Sequence, residues 1–106
     1  MTKQEAIQYQ IDDVMDTFEF EDVHEWMTHT NWTWGHPDCG AQVPDNYQLR
    51  SLARSLLKEA AKSSFASTGG FTARSTEGCD ENGPWITLNL SFGYSTINDG
   101  TSYVAE

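Results

Sequence analysis

The sequence of 106 residues predicts an α+β fold, in which two or three N-terminal helices pack on a small C-terminal antiparallel sheet. Two observations predict it. Apolar residues recur with the helical period of about 3.6 as far as Ser63, and beyond it they alternate with polar residues in the pattern of strands. The sheet is expected to be a hairpin or a three-stranded meander. The length suits one compact unit, so we expect residues 1–106 to form a single domain.

The first helix is predicted over residues 3–17. Its apolar positions have the i, i+3, i+4 spacing of an amphipathic helix: Ile7, Ile11, Val14, Met15 and Phe18. The spacing resumes after a break and predicts a second short helix over roughly residues 20–29. Seven acidic residues lie between Asp12 and Glu25, and two interpretations remain open for them. They form either a solvated helix face or a surface that imitates the charge of nucleic acid.

Residues 30–43 lack periodicity and are interrupted by glycine and proline, which predicts a loop. This loop contains Trp32 and Trp34. Two tryptophans one residue apart point to opposite sides of an extended segment, so one can enter the core while the other stays near the surface. They are therefore either core residues or an aromatic platform for a base or a partner side chain.

Pro44 and Asp45 predict the start of a third helix. Its buried stripe consists of Leu49, Leu52, Ala53, Leu56, Leu57 and Ala60. Four of the six basic residues recur every four positions along the same helix, away from this stripe: Arg50, Arg54, Lys58 and Lys62. They form either a solubilising face or an anion site. Arg50 and Arg54 are the best candidates for binding an anion, because guanidinium groups match phosphate oxygens bidentately.

The second half of the chain predicts strands. Alternation over residues 71–76 and 86–94 indicates two strands joined by a hairpin loop over 77–83. Asp99-Gly100 is typical of a type I′ turn, so residues 101–105 are expected to fold back as a short third strand. The leucine stripe of the third helix should cover the sheet. Bare edges in so small a sheet favour pairing with another copy, so we expect a homo-oligomer, most simply a dimer.

The segment Ser67-Thr68-Gly69-Gly70-Phe71 connects the third helix to the sheet. Paired glycines let a ligand approach main-chain N–H groups, the two hydroxyls add donors, and Phe71 adds an apolar plane. Arg74 follows on the next strand as a further candidate for binding phosphate. The segment lacks the lysine of a P-loop and the third glycine of a dinucleotide fingerprint, so a plain helix-to-strand connection is the other interpretation.

The order and spacing of four landmarks resemble those of a widespread group of small, mostly uncharacterised proteins encoded by tailed bacteriophages. The landmarks are Asn31-Trp32-Thr33-Trp34, Val43-Pro44, Leu49-(x)3-Ala53-(x)2-Leu56-Leu57 and Ser67-Thr68-Gly69-Gly70-Phe71-Thr72-Ala73. The resemblance covers roughly residues 14–92 and carries no residue-by-residue activity. It implies a viral accessory protein in the host cytoplasm that tunes host takeover or blunts host immunity.

The net charge of −10 disfavours nucleic acid and anionic membranes as partners, because phosphate-rich polymers need a broad cationic face. The charge is compatible with a basic host protein or with a small anionic nucleotide ligand in a local pocket. No apolar run approaches the ~20 residues that span a bilayer. The N-terminus also lacks the apolar core of a signal peptide. We therefore expect a soluble, cytoplasmic protein.

The histidines and cysteines of the sequence match no known signature of a metal site or of a covalent catalytic site. His24, His29, His36 and Cys39 follow the spacing His-(x)4-His-(x)6-His-(x)2-Cys, which fits no common zinc site. Cys39 and His36 could form a nucleophile and base, but nothing indicates an oxyanion hole. We expect no enzymatic activity, no catalytic residue, no metal and no cofactor. Cys39 and Cys79 are expected to be free thiols.

Two functional hypotheses follow. In the first, each oligomer sequesters a nucleotide signal of a bacterial defence system: Trp32, Trp34 or Phe71 stacks on a base, while arginines and the Gly69-Gly70 backbone hold phosphate. The arginines are Arg50, Arg54 and Arg74. In the second, the acidic residues of 12–25 occupy the channel of a host nucleic-acid-binding protein, as a mimic of DNA.

Overall fold

The computed structural model describes residues 1–19, 46–68, 70–92, 95–98 and 100–104. In this part of the chain two helices precede an antiparallel sheet, which confirms the α+β class. The predicted helix over 20–29, both tryptophans of the predicted loop and Gly69 lie outside the described residues. The sheet has more strands than the hairpin or three-stranded meander that the sequence predicted.

Helix α1 spans Lys3–Thr17, as predicted. It begins with a capping box, in which the Thr2 hydroxyl accepts from the Glu5 N–H and the Glu5 carboxylate accepts from the Thr2 N–H. These hydrogen bonds hold the pKa of Glu5 below its usual value, with the backbone bond to Thr2 as the largest cause. The first helical turn is therefore fixed by its own local sequence.

Helix α2 spans Asn46–Ser63 and packs against α1 and the sheet. The predicted Pro44 and Asp45 at its start lie outside the described residues. Its leucine and alanine stripe is buried, with Leu52 half-buried at the margin, and it meets the apolar positions of α1 and of the strands in one core. The core residues of α2 are Leu49, Ala53, Leu56, Leu57 and Ala60.

The sheet is an antiparallel meander in the order β1-β2-β3-β4, and β5 also pairs with β3. The strands are β1 Phe65–Thr68, β2 Phe71–Asp80, β3 Gly83–Phe92, β4 Ser95–Ile97 and β5 Ser102–Tyr103. Since side chains alternate along a strand, each strand contributes to two faces. The face that bears Phe71, Ala73, Leu88 and Leu90 packs on the helices and is called the helix face below. The opposite one is called the outer face.

The predicted hairpin between the two long strands is confirmed, but its loop is shorter than the predicted residues 77–83. Strands β2 and β3 remain paired as far as Asp80 opposite Gly83, so only Glu81 and Asn82 make the turn. Gly83 has a φ of 112°, and the Asn82 N–H donates to the Asp80 carboxylate. The strand ends were missed because they extend beyond the core, where polar residues carry no apolar alternation.

The interpretation of residues 67–71 as a helix-to-strand connection was wrong. Strand β1 pairs with β2, and Thr68 lies opposite Phe71, so the segment forms the end of a second hairpin. The Ser67 hydroxyl donates to the Phe71 carbonyl oxygen over 3.2 Å and closes this hairpin. Only Ala66 of the four residues in β1 is buried, which left too little pattern to predict a strand.

The predicted chain reversal at Asp99-Gly100 does not occur. Strands β4 and β5 run in the same direction along one edge of β3. Ile97 lies opposite Leu90, and Ser102 lies opposite Ile86, so four residues of this edge face three residues of β3. The pairing with β3 is interrupted between Ile97 and Ser102, and Asn98 at the start of the interruption has a φ of 68°. The expected third strand is thus the continuation of an interrupted edge strand.

Candidate functional site

A groove of about 300 Å³ lies between the C-terminal part of α1 and the N-terminal half of α2. We call it the α1–α2 groove, and its lining residues are Met15, Tyr47, Arg50, Ser51 and Arg54. It brings together the two arginines that the sequence singled out for anion binding. The volume lies at the lower end of the range for small-molecule sites, which is roughly 300–1,000 Å³.

Arg50 is held in place by the end of α1. Its guanidinium donates to the carbonyl oxygens of Met15 at 2.9 Å and Phe18 at 3.1 Å, and it lies 5.6 Å from the centre of the Phe18 ring. It therefore caps the C-terminus of α1, where the helix dipole is negative. Two of its five N–H donors are used in these bonds. The cation is fixed at the groove wall with donor capacity left over.

Arg54 is held more loosely, by one ion pair with Asp12 of α1. The nitrogen and oxygen atoms are 3.6 Å apart, and the side chains are 42% and 55% exposed. Exposed pairs of this kind contribute about 0–1 kcal/mol, because water and salt screen them. The Arg54 guanidinium can consequently leave Asp12 for a better anion at little cost.

Tyr47 and Ser51 complete the groove and were missed by the sequence analysis. Tyr47 is 81% exposed, which is unusual for a large aromatic side chain, and Ser51 carries an exposed hydroxyl. Residues 47, 50, 51 and 54 have the i, i+3, i+4, i+7 spacing of one helix face. That spacing is visible in the sequence. The anion site, however, was predicted only from the basic residues that recur every four positions, and these do not include Tyr47 or Ser51.

The other predicted site residues that the structure describes are not among the residues that line this groove. The Phe71 ring is fully buried in the core beside Phe92, so it offers no plane to a ligand. Ser67, Thr68 and Gly70 belong to the β1–β2 hairpin and its turn. The structure thus separates the hairpin residues from Arg50 and Arg54.

Arg74 lies on the outer face of the sheet, on the other side from both helices. Its guanidinium carbon is 5.0 Å from the centre of the Phe65 ring, in the geometry of a cation–π contact. It therefore cannot act on the same phosphate as Arg50 within one protomer. Trp32, Trp34 and Gly69, the other predicted ligand-binding residues, lie outside the described residues.

A second, larger cavity of about 690 Å³ lies at the far end of the sheet, near the start of α1. Its lining includes Lys3, Glu77, Trp85, Ile86 and Val104. Lys3 and Glu77 form an ion pair of 2.5 Å at this cavity, so its charges neutralise one another. None of the predicted site residues that the structure describes lines it.

Among the described residues, no group of three or more histidine, cysteine, aspartate or glutamate side chains is arranged to hold a metal ion. Cys79 is an exposed free thiol. The histidines and Cys39 lie outside the described residues. Neither of the two described helices is long and apolar enough to cross a membrane.

The chain matches no protein-family model, and no curated protein or solved structure is detectably similar to it.

Proposed function

We propose that the protein is a non-enzymatic binding protein that captures a small anionic nucleotide in the α1–α2 groove and sequesters it. The observation that carries this proposal is the grouping of two guanidinium groups, an exposed tyrosine and a hydroxyl in one groove of a chain with net charge −10. In so acidic a protein, such a grouping is a local exception to the repulsion that an anion meets elsewhere.

The two arginines have complementary tasks in this proposal. Arg50 provides a fixed charge, because α1 already orders its side chain and little entropy is lost on binding. Arg54 exchanges the weak bond to Asp12 for a charge-assisted, bidentate bond to phosphate. The Ser51 hydroxyl adds a further donor at the same groove.

Tyr47 supplies the stacking surface for a base. An aromatic platform contributes about 1–3 kcal/mol per stacked base, and it does so for any base. The groove volume suits one nucleotide unit, so a larger cyclic signal would bind through one of its units. This replaces Phe71, which the sequence analysis had offered as a stacking plane and which is buried.

Sequestration is proposed in preference to turnover because of the lining. Among the described residues, the five that line the groove include no histidine, cysteine or carboxylate, the usual groups for proton transfer. Together with the resemblance to phage proteins, this supports a role in the host cytoplasm, where the protein would remove a nucleotide signal of a host defence system.

The proposal is tested by thermal shift with a panel of cyclic dinucleotides, cyclic trinucleotides and cyclic ADP-ribose derivatives. A ligand at a hundredfold excess over its dissociation constant should add about 2.7 kcal/mol to the stability of the folded protein. Arg54→Ala should abolish the shift. Lys58→Ala, on the same helix but outside the groove, is the matched control and should keep it. No shift with any member of the panel would refute the proposal.

A second function is favoured by a different observation. Asp12, Asp13 and Asp16 are all exposed on α1, as is Glu19 just beyond it. An acidic surface of this kind suits a basic nucleic-acid channel of a host protein, with fast and salt-sensitive binding. Affinity capture from host lysate should then recover a basic protein at low salt and lose it at high salt. Undiminished capture by a variant in which Asp12, Asp13 and Asp16 are all replaced by Asn would exclude this second function.

A further inference from the structure

The outer face of the sheet is left uncovered by both described helices, which pack on the helix face. Positions midway along β2 and β3 are polar and small: Thr76 is exposed, and the opposite Thr87 is buried with its hydroxyl bonded to Thr101. Aromatic residues lie toward its margins: Phe65 is 47% exposed and Tyr103 is 43% exposed. A broad face with exposed aromatic rings is a candidate interaction surface.

The outer face is nearly neutral in a strongly acidic protein. Among the described acidic residues, only Asp80 occupies an outer-face position of a strand, and its carboxylate accepts a hydrogen bond of 2.8 Å from the Tyr103 hydroxyl. Arg74 balances it with one positive charge. Two copies with net charge −10 each repel one another over most approaches, so this face is where they can meet at the lowest electrostatic cost.

The composition of the outer face is that of a protein–protein interface. Tryptophan, tyrosine, phenylalanine and arginine are enriched in interfaces, whereas lysine, glutamate and aspartate are depleted. Trp85, Tyr103, Phe65 and Arg74 are the large residues of this face. Trp85 lies flat over Gly78, since a Cβ on that glycine would come within 2.7 Å of indole atom Cε2. The indole therefore covers this glycine instead of projecting from the sheet.

The dimensions of the outer face are also compatible with an interface between two sheets. Strands β2 and β3 have ten residues each and span about 34 Å, and four neighbouring strands span roughly 15–19 Å. Because β1, β4 and β5 have only four, three and two residues, the paired strands cover a flat area of roughly 470 Å², before the relief of the side chains is added. This flat area is more than half of the area of about 800 Å² that each partner contributes to a stable interface.

Pairing through the sheet edge is less favourable than the sequence analysis assumed. Strand β1 covers only the first part of β2, which leaves the edge of residues 76–80 open in the described chain. Glu77, Asp80 and Glu81 lie along this edge. Edge-to-edge pairing of two copies would bring two such acidic stretches together, which costs free energy.

We propose that the outer face of the sheet binds the outer face of a second copy, so that two sheets pack at the usual distance of about 10 Å. This inference is independent of ligand binding. Both α1–α2 grooves would remain open on the outside of the dimer, and Arg74 and Phe65 of each copy would lie in the interface.

Analytical ultracentrifugation of the full chain over a range of micromolar concentrations tests this proposal. Wild-type protein should sediment as a dimer. Thr76→Lys puts a charge on the outer face midway along β2 and should raise the dissociation constant at least tenfold. Ser55→Lys changes the net charge equally on the exposed side of α2 and should leave the dimer intact. Circular dichroism melting of both variants verifies that they fold.

A folded Thr76→Lys variant that remains as dimeric as wild type would overturn the proposal, and so would a monomeric wild-type protein. Loss of the dimer in both lysine variants would also overturn it, because the effect would then not depend on the face. Ligand binding by the α1–α2 groove is measured separately, so failure of one proposal leaves the other standing.

Discussion

Asp12 and Arg54 form an ion pair in which the charged atoms are 3.6 Å apart and both side chains are about half exposed. The pair joins the acidic face of α1 to the basic row of α2. The pair is weak, so either partner can exchange it for another contact. An anionic ligand must displace Asp12 from Arg54, whereas a basic partner protein would bind Asp12 directly. The role of Asp12 therefore distinguishes the two proposed functions. The same substitution at Asp12 therefore has opposite effects in the two cases.

Arg50 should matter for folding more than any other described basic residue. Arg50→Ala removes two charge-assisted hydrogen bonds to the end of α1 and a cation–π contact, so we expect a loss of about 2 kcal/mol in the free energy of unfolding. Arg54→Ala, whose ion pair is half exposed, should cost less than about 1 kcal/mol. Urea denaturation of both variants measures the difference, and equal losses would show that Arg50 is not a structural cap.

Gln10 replaces a missing strand at the edge of β3. Its amide donates to the Ile86 carbonyl oxygen at 2.5 Å and accepts from the Leu88 N–H at 2.8 Å, where the edge strand is interrupted. Gln10→Met would leave both buried groups unpaired and should cost about 2–4 kcal/mol. Gln8→Met, at an exposed position of the same helix, should change the free energy of unfolding by less than about 0.5 kcal/mol. Similar values for the two variants would contradict the bridging role.

The Trp85 ring lies over Gly78 and leaves no room for a Cβ atom at that position. Gly78→Ala should destabilise the fold by about 1–3 kcal/mol, because the indole must move. Without that clash, the same change in a strand would stabilise by about 0.4–1 kcal/mol. A double-mutant cycle with Trp85→Val measures the coupling by thermal unfolding. Gly78→Ala should no longer be costly in the Trp85→Val background, and an unchanged cost there would refute the contact.

Glu5 should make the stability of α1 depend on pH. Its pKa is lower in the folded state than in the unfolded chain, so its contribution is present above its usual pKa and is lost as the pH falls through the lowered pKa. Glu5→Gln should therefore melt at a lower temperature than wild type at pH 7, and the difference should shrink steadily below about pH 4.5. A difference in melting temperature that stays constant into the acid range would contradict the capping box.

The local sequence was sufficient to predict a helix or strand where that element buries one continuous apolar stripe. The bounds of α1, the buried stripe of α2 and the alternation of β3 all follow from that rule. It was insufficient for β1, which buries one residue, and for the polar ends of β2 and β3, which extend past the helices. Strands of this kind are stabilised by pairing with a neighbour, and pairing leaves no periodic trace in the sequence.

The same distinction applies to the site. The basic row of α2 was visible in the sequence, but the different tasks of its members were not. Arg50 is engaged by carbonyl groups 32 and 35 positions earlier in the chain, and Arg74 is turned to the outer face by strand register. Both facts depend on tertiary contacts. Tyr47 could have been found, because it lies one helical turn before Arg50 and Ser51.

The central claim is that the α1–α2 groove binds an anionic nucleotide at Arg54. It is tested most directly by isothermal titration of the tightest nucleotide of the panel into wild type, Asp12→Asn and the matched Asp13→Asn control. Asp12→Asn removes the competitor of the phosphate group, so its dissociation constant should fall about threefold to fivefold, equivalent to an ion pair of up to about 1 kcal/mol. Asp13→Asn should bind like wild type. Weaker binding by Asp12→Asn, or an equal gain in both variants, would contradict the claim.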